Sequence, residues 1–190
     1  MKSVKGQQGV SSVFVHAGLA ALASACQGWL LRGIEALALA LQHEGRAVGF
    51  AEDLALGVYA RLCGARPADV AMFHTCAAAL SQVALGLPLA PGDELVLWDQ
   101  EYPSNAYPWH EAARRTGDVV RVVQSEPDFS LVQERLHAAI TPRTRAVAVS
   151  WVQYQTGAVT DLAALGRACR AVGAWLVVDA IQALGLFPMD

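Results

Sequence analysis

Two hydrophobic periods alternate along this chain. The short apolar runs Glu94–Trp98, Val119–Val123, Arg145–Ser150 and Trp175–Val178 have the length and β-branched content of buried strands. Between them, apolar residues recur at helical spacing in Ala77–Leu87, Asn105–Thr116, Leu131–Ile140 and Leu162–Val172. Upstream, Leu19–His43 has helical spacing interrupted by Gly28 and Gly33. Glu52–Cys63 predicts a helix stopped at Gly64, and Asp69–Phe73 predicts a short strand. His74 to Cys76 turns the chain, Pro88 ends the helix after it, and Pro91 to Asp93 is a turn; Pro108 reads as part of its helix's first turn. Strands alternating with helices predict the α/β class: a three-layer α/β/α arrangement around a largely parallel sheet.

Composition narrows the function classes. A hydrophobic fraction of 54% over 190 residues suffices for one domain with a core. The net charge of −3 comes from interleaved acids and bases, with no basic stripe for nucleic acid and no polybasic patch for a membrane surface. Cys26, Cys63, Cys76 and Cys169 form no CxxC pair and read as thiols of a reducing cytoplasm rather than as a disulfide or zinc framework, so no metal site is expected. Lys2 and Lys5 precede the apolar stretch Val13–Ala25 much as in a signal peptide, but His16 and Gly18 interrupt it. His16, Ser24 and Gln27 also spoil the one window that could span a membrane. Dinucleotide GxGxxG, P-loop and GxSxG signatures are absent from the chain.

The run Trp175–Val178 leads straight into Asp179. A carboxylate at the end of a buried strand is costly unless something positive meets it, and ligands of open α/β sheets sit at that end. Three residues on, Gln182 offers both a donor and an acceptor. The pair suits a flat heteroaromatic ligand with a protonated ring nitrogen and a phenolic oxygen. Pyridoxal 5′-phosphate (PLP) fits that description. FHTCAAAL opens a helix after a predicted strand, where unpaired amides and the helix dipole make an anion site, and Thr75 can cap that helix or bond a phosphate. Cys76, at the same helix start, reads either as an activated nucleophile or as a small packed residue.

These stretches carry a resemblance. VVDAIQALG, FHTCAAALSQVALGL, GDELVLWDQEYPSNAYPW and SWVQYQTGAVTDLAALGRACRAVGAWLVVDAIQ resemble, in order, segments of the class V aminotransferase group of fold-type I PLP enzymes, which includes cysteine desulfurases and isopenicillin-N epimerase-like enzymes. VFVHAGLAAL resembles the group's N-terminal segment, so the likeness runs from about residue 13 to the end, behind a polar tail at 1–12. The resemblance implies that Asp179 pairs with the pyridine nitrogen, Gln182 bonds the phenolic oxygen and Tyr102 stacks on the ring. Thr75, with the amides of Cys76 and Ala77, would then hold the phosphate, and His16 and Tyr154 would lie near the substrate. Here His74 and Cys76 depart from the group's phosphate pattern, and Tyr102 stands where cysteine desulfurases carry His. Tyr107 and Trp109 read as packing residues, and His43, His110 and His137 as solvated ones.

The resemblance further implies a Schiff-base lysine and a small C-terminal domain. The only lysines are Lys2 and Lys5, in the tail, and the expected position lies beyond Asp190. The expectation is therefore a large domain truncated at Asp190, from a cytoplasmic, homodimeric enzyme acting on an amino acid through an aldimine and a Cα carbanion. Transamination, epimerisation, lyase chemistry and desulfuration remain open, as does a non-catalytic module that keeps only the fold. The 190-residue chain alone is expected to be inactive.

Overall fold

A computed structural model describes residues 12–15, 56–73 and 75–187. The expectations for Leu19–His43, His16, His74, the two lysines and the start of the Glu52–Cys63 helix lie outside these residues. Strands β1 (Ser12–Val15), β2 (Glu94–Trp98), β3 (Val119–Val123), β4 (Thr144–Ser150) and β5 (Trp175–Asp179) form one sheet in the order β1-β5-β4-β2-β3. Every pairing is parallel. Helices α1 (Cys76–Gly86), α2 (Pro103–Thr116), α3 (Gln133–Ala139) and α4 (Leu162–Val172) connect or precede them. Residues 56–62 are also helical, followed by Gly64 at φ 60°.

The strands alternate their side chains between two cores, as a pleated strand must. Leu95, Leu97, Ala146, Ala148 and Val177 face one way, packing with Leu80 and Ala84 of α1 and Trp109 and Ala112 of α2. Val96, Trp98, Val147, Val149, Leu176 and Val178 face the other, against Leu136 of α3 and Leu165 and Cys169 of α4. Tyr59 and Leu62 of the 56–62 helix pack there too. The expected three-layer sandwich is present, with strands apolar on both faces because both are covered. Trp109, Leu80 and Leu165 are each wholly buried, worth about 1.5–3 kcal/mol apiece for such side chains.

The ends of α4 show how local chemistry sets boundaries. Asp161 accepts from the Ala164 amide at 2.9 Å, and Gly173 closes the helix at φ 73°, where a side chain would be strained. Two expectations are corrected. Asp69–Phe73 is not a strand: a 3-10 turn spans Pro67–Asp69, because Asp69 bonds back to Arg66, and Ala71, Met72 and Phe73 are exposed rather than seated on a sheet. Pro108 lies inside α2, not in its first turn, since the helix begins at Pro103, where a missing N–H costs nothing.

Topology locates the functional end of the sheet. The chain leaves β2 toward β3 on one side, then crosses back to β4 and continues to β5 on the other. The segments leaving β2 and β4 therefore run to helices on opposite faces and open a crevice at the carboxyl ends of these strands.

At the opposite end, Glu94 is buried beneath two arginines. Its carboxylate accepts from Arg121 at 2.8 Å, Arg143 at 2.7 Å and the Thr141 hydroxyl at 2.6 Å. The Arg121 hydrogen bond chiefly, with Thr141 and Arg143, holds the carboxyl down at about 2 from an ordinary 4.5. A lowered folded-state value stabilises the fold above the ordinary one, and that stability is lost as pH falls toward the lowered one. Acid titration of unfolding free energy is expected to decline between pH 4.5 and about 2. Glu94→Gln should flatten that decline and cost about 2 kcal/mol at neutral pH by denaturant unfolding.

Candidate functional site

Asp179 ends β5 and is only 2% exposed. Its Oδ1 accepts from the Ile181 amide at 3.0 Å, and its Oδ2 from the Cys76 thiol at 3.5 Å. Cys76 is the first residue of α1, so the acid at the strand end and the start of this helix are in direct contact. Burial, and after it the charge of Asp179, push the Cys76 thiol up to about 12. A thiol so raised stays protonated and is no nucleophile at neutral pH; of the two sequence readings, the packed residue holds.

Thr75 caps α1, its Oγ1 accepting from the Ala78 amide at 3.1 Å. A hydroxyl that accepts in this way still has its own O–H to donate. The amides of Cys76 and Ala77, in the first turn, have no carbonyl one turn back within the helix. Thr75 and Ala77 are exposed, so this helix start can receive an anion from solvent. Gln182, in the turn after β5, is exposed as well.

Tyr102 caps α2 from the loop after β2, and half of it is exposed. Its ring meets that of Tyr154, from the loop after β4, edge to face at 5.0 Å and 87°. The structure thus joins two expected site residues that the sequence left unconnected. Tyr107 is 71% exposed, which corrects its reading as a packing residue, whereas Trp109 is fully buried. His16 lies outside the described residues.

Sequence reasoning missed the group that holds the two loops together. Glu101, 7% exposed, accepts from the Ser150 amide at 2.9 and 3.0 Å, the Ser150 hydroxyl at 2.7 Å, Gln153 at 2.9 Å and Asn105 at 2.8 Å. Asn105 in turn accepts from the Trp109 indole at 3.4 Å. Glu101 precedes Tyr102 and Gln153 precedes Tyr154, so their bond sets the backbone from which both rings project. Burial pushes the Glu101 carboxyl above its ordinary value, against the hydrogen bonds from Ser150, Asn105 and Gln153, which favour the charged form. The rule that singled out Asp179 would have found it: Glu101 also closely follows a buried strand's carboxyl end.

Around the carboxyl ends of β2, β4 and β5 the structure thus has a buried acid, a helix start open to an anion and a pair of aromatic rings. That donor set fits PLP, with an acid for the ring nitrogen, amides for the phosphate and a ring to stack. Glu101→Gln would turn an amide N–H toward a set of donors. It is expected to cost about 3 kcal/mol in denaturant unfolding and to weaken the tyrosine signal in near-UV circular dichroism.

Comparison with known proteins shows the family. A family model described as aminotransferase class-V matches residues 55–190. The cysteine desulfurase of Dickeya dadantii is 31% identical over 156 residues, covering 80% of this chain and 36% of that protein. The isopenicillin N epimerase of Amycolatopsis lactamdurans is 37% identical over 133 residues, 67% of this chain and 33% of its own length. Among solved structures, the Escherichia coli cysteine desulfurase CsdA superimposes with a TM-score of 0.71 at 25% identity, covering 82% of this chain and 44% of that one. The chain therefore spans about a third of the length of these curated relatives. With a family match over residues 55–190, the chain belongs to the class-V aminotransferases, whose cofactor is PLP.

Proposed function

We propose that this chain supplies most of the cofactor pocket of a cytoplasmic PLP enzyme that transforms an amino acid, as an aminotransferase, epimerase or lyase. The observation that carries the reading is Asp179, buried at the end of β5 against the first turn of α1. When bound, PLP supplies an electron sink for the bonds at the substrate's Cα. Asp179 keeps the ring nitrogen protonated through its charge. At about 4 Å and an effective dielectric near 20 such a pair is worth roughly 4 kcal/mol before desolvation. Thr75, with the Cys76 and Ala77 amides, binds the phosphate; Tyr102 stacks on the ring face, Gln182 bonds the phenolic oxygen, and Tyr154 borders the substrate. The only lysines, Lys2 and Lys5, lie outside the described residues, and none of the described side chains is assigned the Schiff base.

Tyr102 weighs against desulfuration, because a tyrosine is much less suited than histidine to moving protons at neutral pH. The cysteine desulfurases among the relatives keep that chemistry as the second reading. Incubating the full-length protein with a panel of amino acids separates the two. Keto-acid formation, loss of Cα chirality or elimination is the expected result, and sulfide release from cysteine would favour the second reading. Turnover of none of them would leave a non-catalytic module. We further propose a homodimer, supported by the exposed Met72, Phe73, Leu85 and Tyr107. Light scattering of the full-length protein at micromolar concentration is expected to give twice the monomer mass.

Two substitutions separate the roles at the site. Asp179→Asn should still bind PLP but lower turnover at saturating cofactor by at least about 100-fold, roughly 2.7 kcal/mol in the barrier. Thr75→Ala should weaken PLP binding by about 1–3 kcal/mol while leaving turnover at saturation nearly intact. Normal turnover by Asp179→Asn at saturating PLP would refute the assignment.

A further inference from the structure

We propose that Cys76 is a positioning residue for Asp179, its thiol orienting the carboxylate toward the position of the cofactor's ring nitrogen. This rests on the PLP reading above and adds to it: that reading uses Cys76 only through its backbone amide.

Four observations carry it. First, the two carboxylate oxygens are held by different elements, Oδ1 by the Ile181 amide in the turn after β5 and Oδ2 by the thiol at the start of α1. Two fixed donors on separate oxygens define the plane of the acid. Second, the contact is shielded from water, with Cys76 7% and Asp179 2% exposed, so solvent does not readily replace the thiol. Third, the Ser104 side chain, in the first turn of α2, is near enough to the same sulfur to favour its charged form, against burial and Asp179. One atom therefore joins α1 to β5, with α2 beside it. Fourth, a thiol is a weak donor. It can hold the carboxylate's direction while withdrawing little of the charge that the ring nitrogen needs, whereas a hydroxyl at the same place would withdraw more. Because burial keeps the thiol protonated, its hydrogen is available across the working pH range.

A residue that merely fills space would behave differently, and two measurements on the full-length protein separate the cases. In cofactor-free protein, the Raman S–H stretch of Cys76, identified by its loss in Cys76→Ala, is expected at the low frequency of a bonded thiol. In Asp179→Asn it should move to higher frequency. In PLP-loaded protein, nitrogen-15 resonance of ring-labelled cofactor should report a protonated nitrogen in wild type and shift toward the unprotonated position in Cys76→Ser. An S–H band that ignores Asp179→Asn overturns the inference, whether or not PLP binds. So does a ring-nitrogen resonance identical in wild type and Cys76→Ser. Failure of the wild type to take up PLP would sink the reading on which this one rests, while the Raman result would still decide the contact itself.

Discussion

A carboxylate sealed from water at the end of a strand must be met by donors, and this site is arranged around two such groups. Asp179 accepts from the Ile181 amide and the Cys76 thiol, which tie the end of β5 to the start of α1. Glu101 is surrounded by the amide and hydroxyl of Ser150 and the side-chain amides of Asn105 and Gln153. The first acid meets the start of a helix, and the second ties two loops together. Since Ser150 pairs with Asp179 across the β4–β5 ladder, the two acids share a neighbour.

That division explains how a shallow, exposed wall can be well defined. Tyr102 and Tyr154 lie in loops and are 50% and 43% exposed, with little packing to fix them. Their positions follow from residues one step earlier in the chain, Glu101 and Gln153, which are buried and bonded to each other. A buried, hydrogen-bonded knot beneath two exposed rings fixes the backbone from which those rings project. The far end of the sheet has its own buried acid, Glu94, paired with arginines and distant in role from the ligand end.

The departures from the family's phosphate pattern also acquire a physical meaning. A hydroxyl lost at Cys76 removes one donor to an anion, yet the helix start retains its amides, which no side-chain change can remove. The side chain that took its place faces the acid instead. Membership of the class-V aminotransferases is shared with enzymes of different outcomes, cysteine desulfurase and isopenicillin N epimerase among them. The cofactor-holding residues are thus a weaker guide to reaction type than the rings and loops that border the substrate.

The layer order and most element positions were legible in the sequence because they depend on near neighbours. Apolar period, a capping Asp161 and a left-handed Gly173 mark α4 within a few residues of each other, and β2 and β3 end where their apolar runs end. Asp179 was legible for the same reason, as a carboxylate abutting an apolar run. Asp69–Phe73 failed as a strand because β-propensity is also local, while a strand needs a neighbour to pair with, and a nearby arginine claimed Asp69 first. Glu101 itself was legible as an acid near a strand's end, but its partners Ser150 and Gln153, the Tyr102–Tyr154 contact and the thiol on Asp179 were not. These partners lie 49 to 103 residues apart in sequence, and only the parallel sheet, by bringing the carboxyl ends of β2, β4 and β5 side by side, puts them within bonding distance.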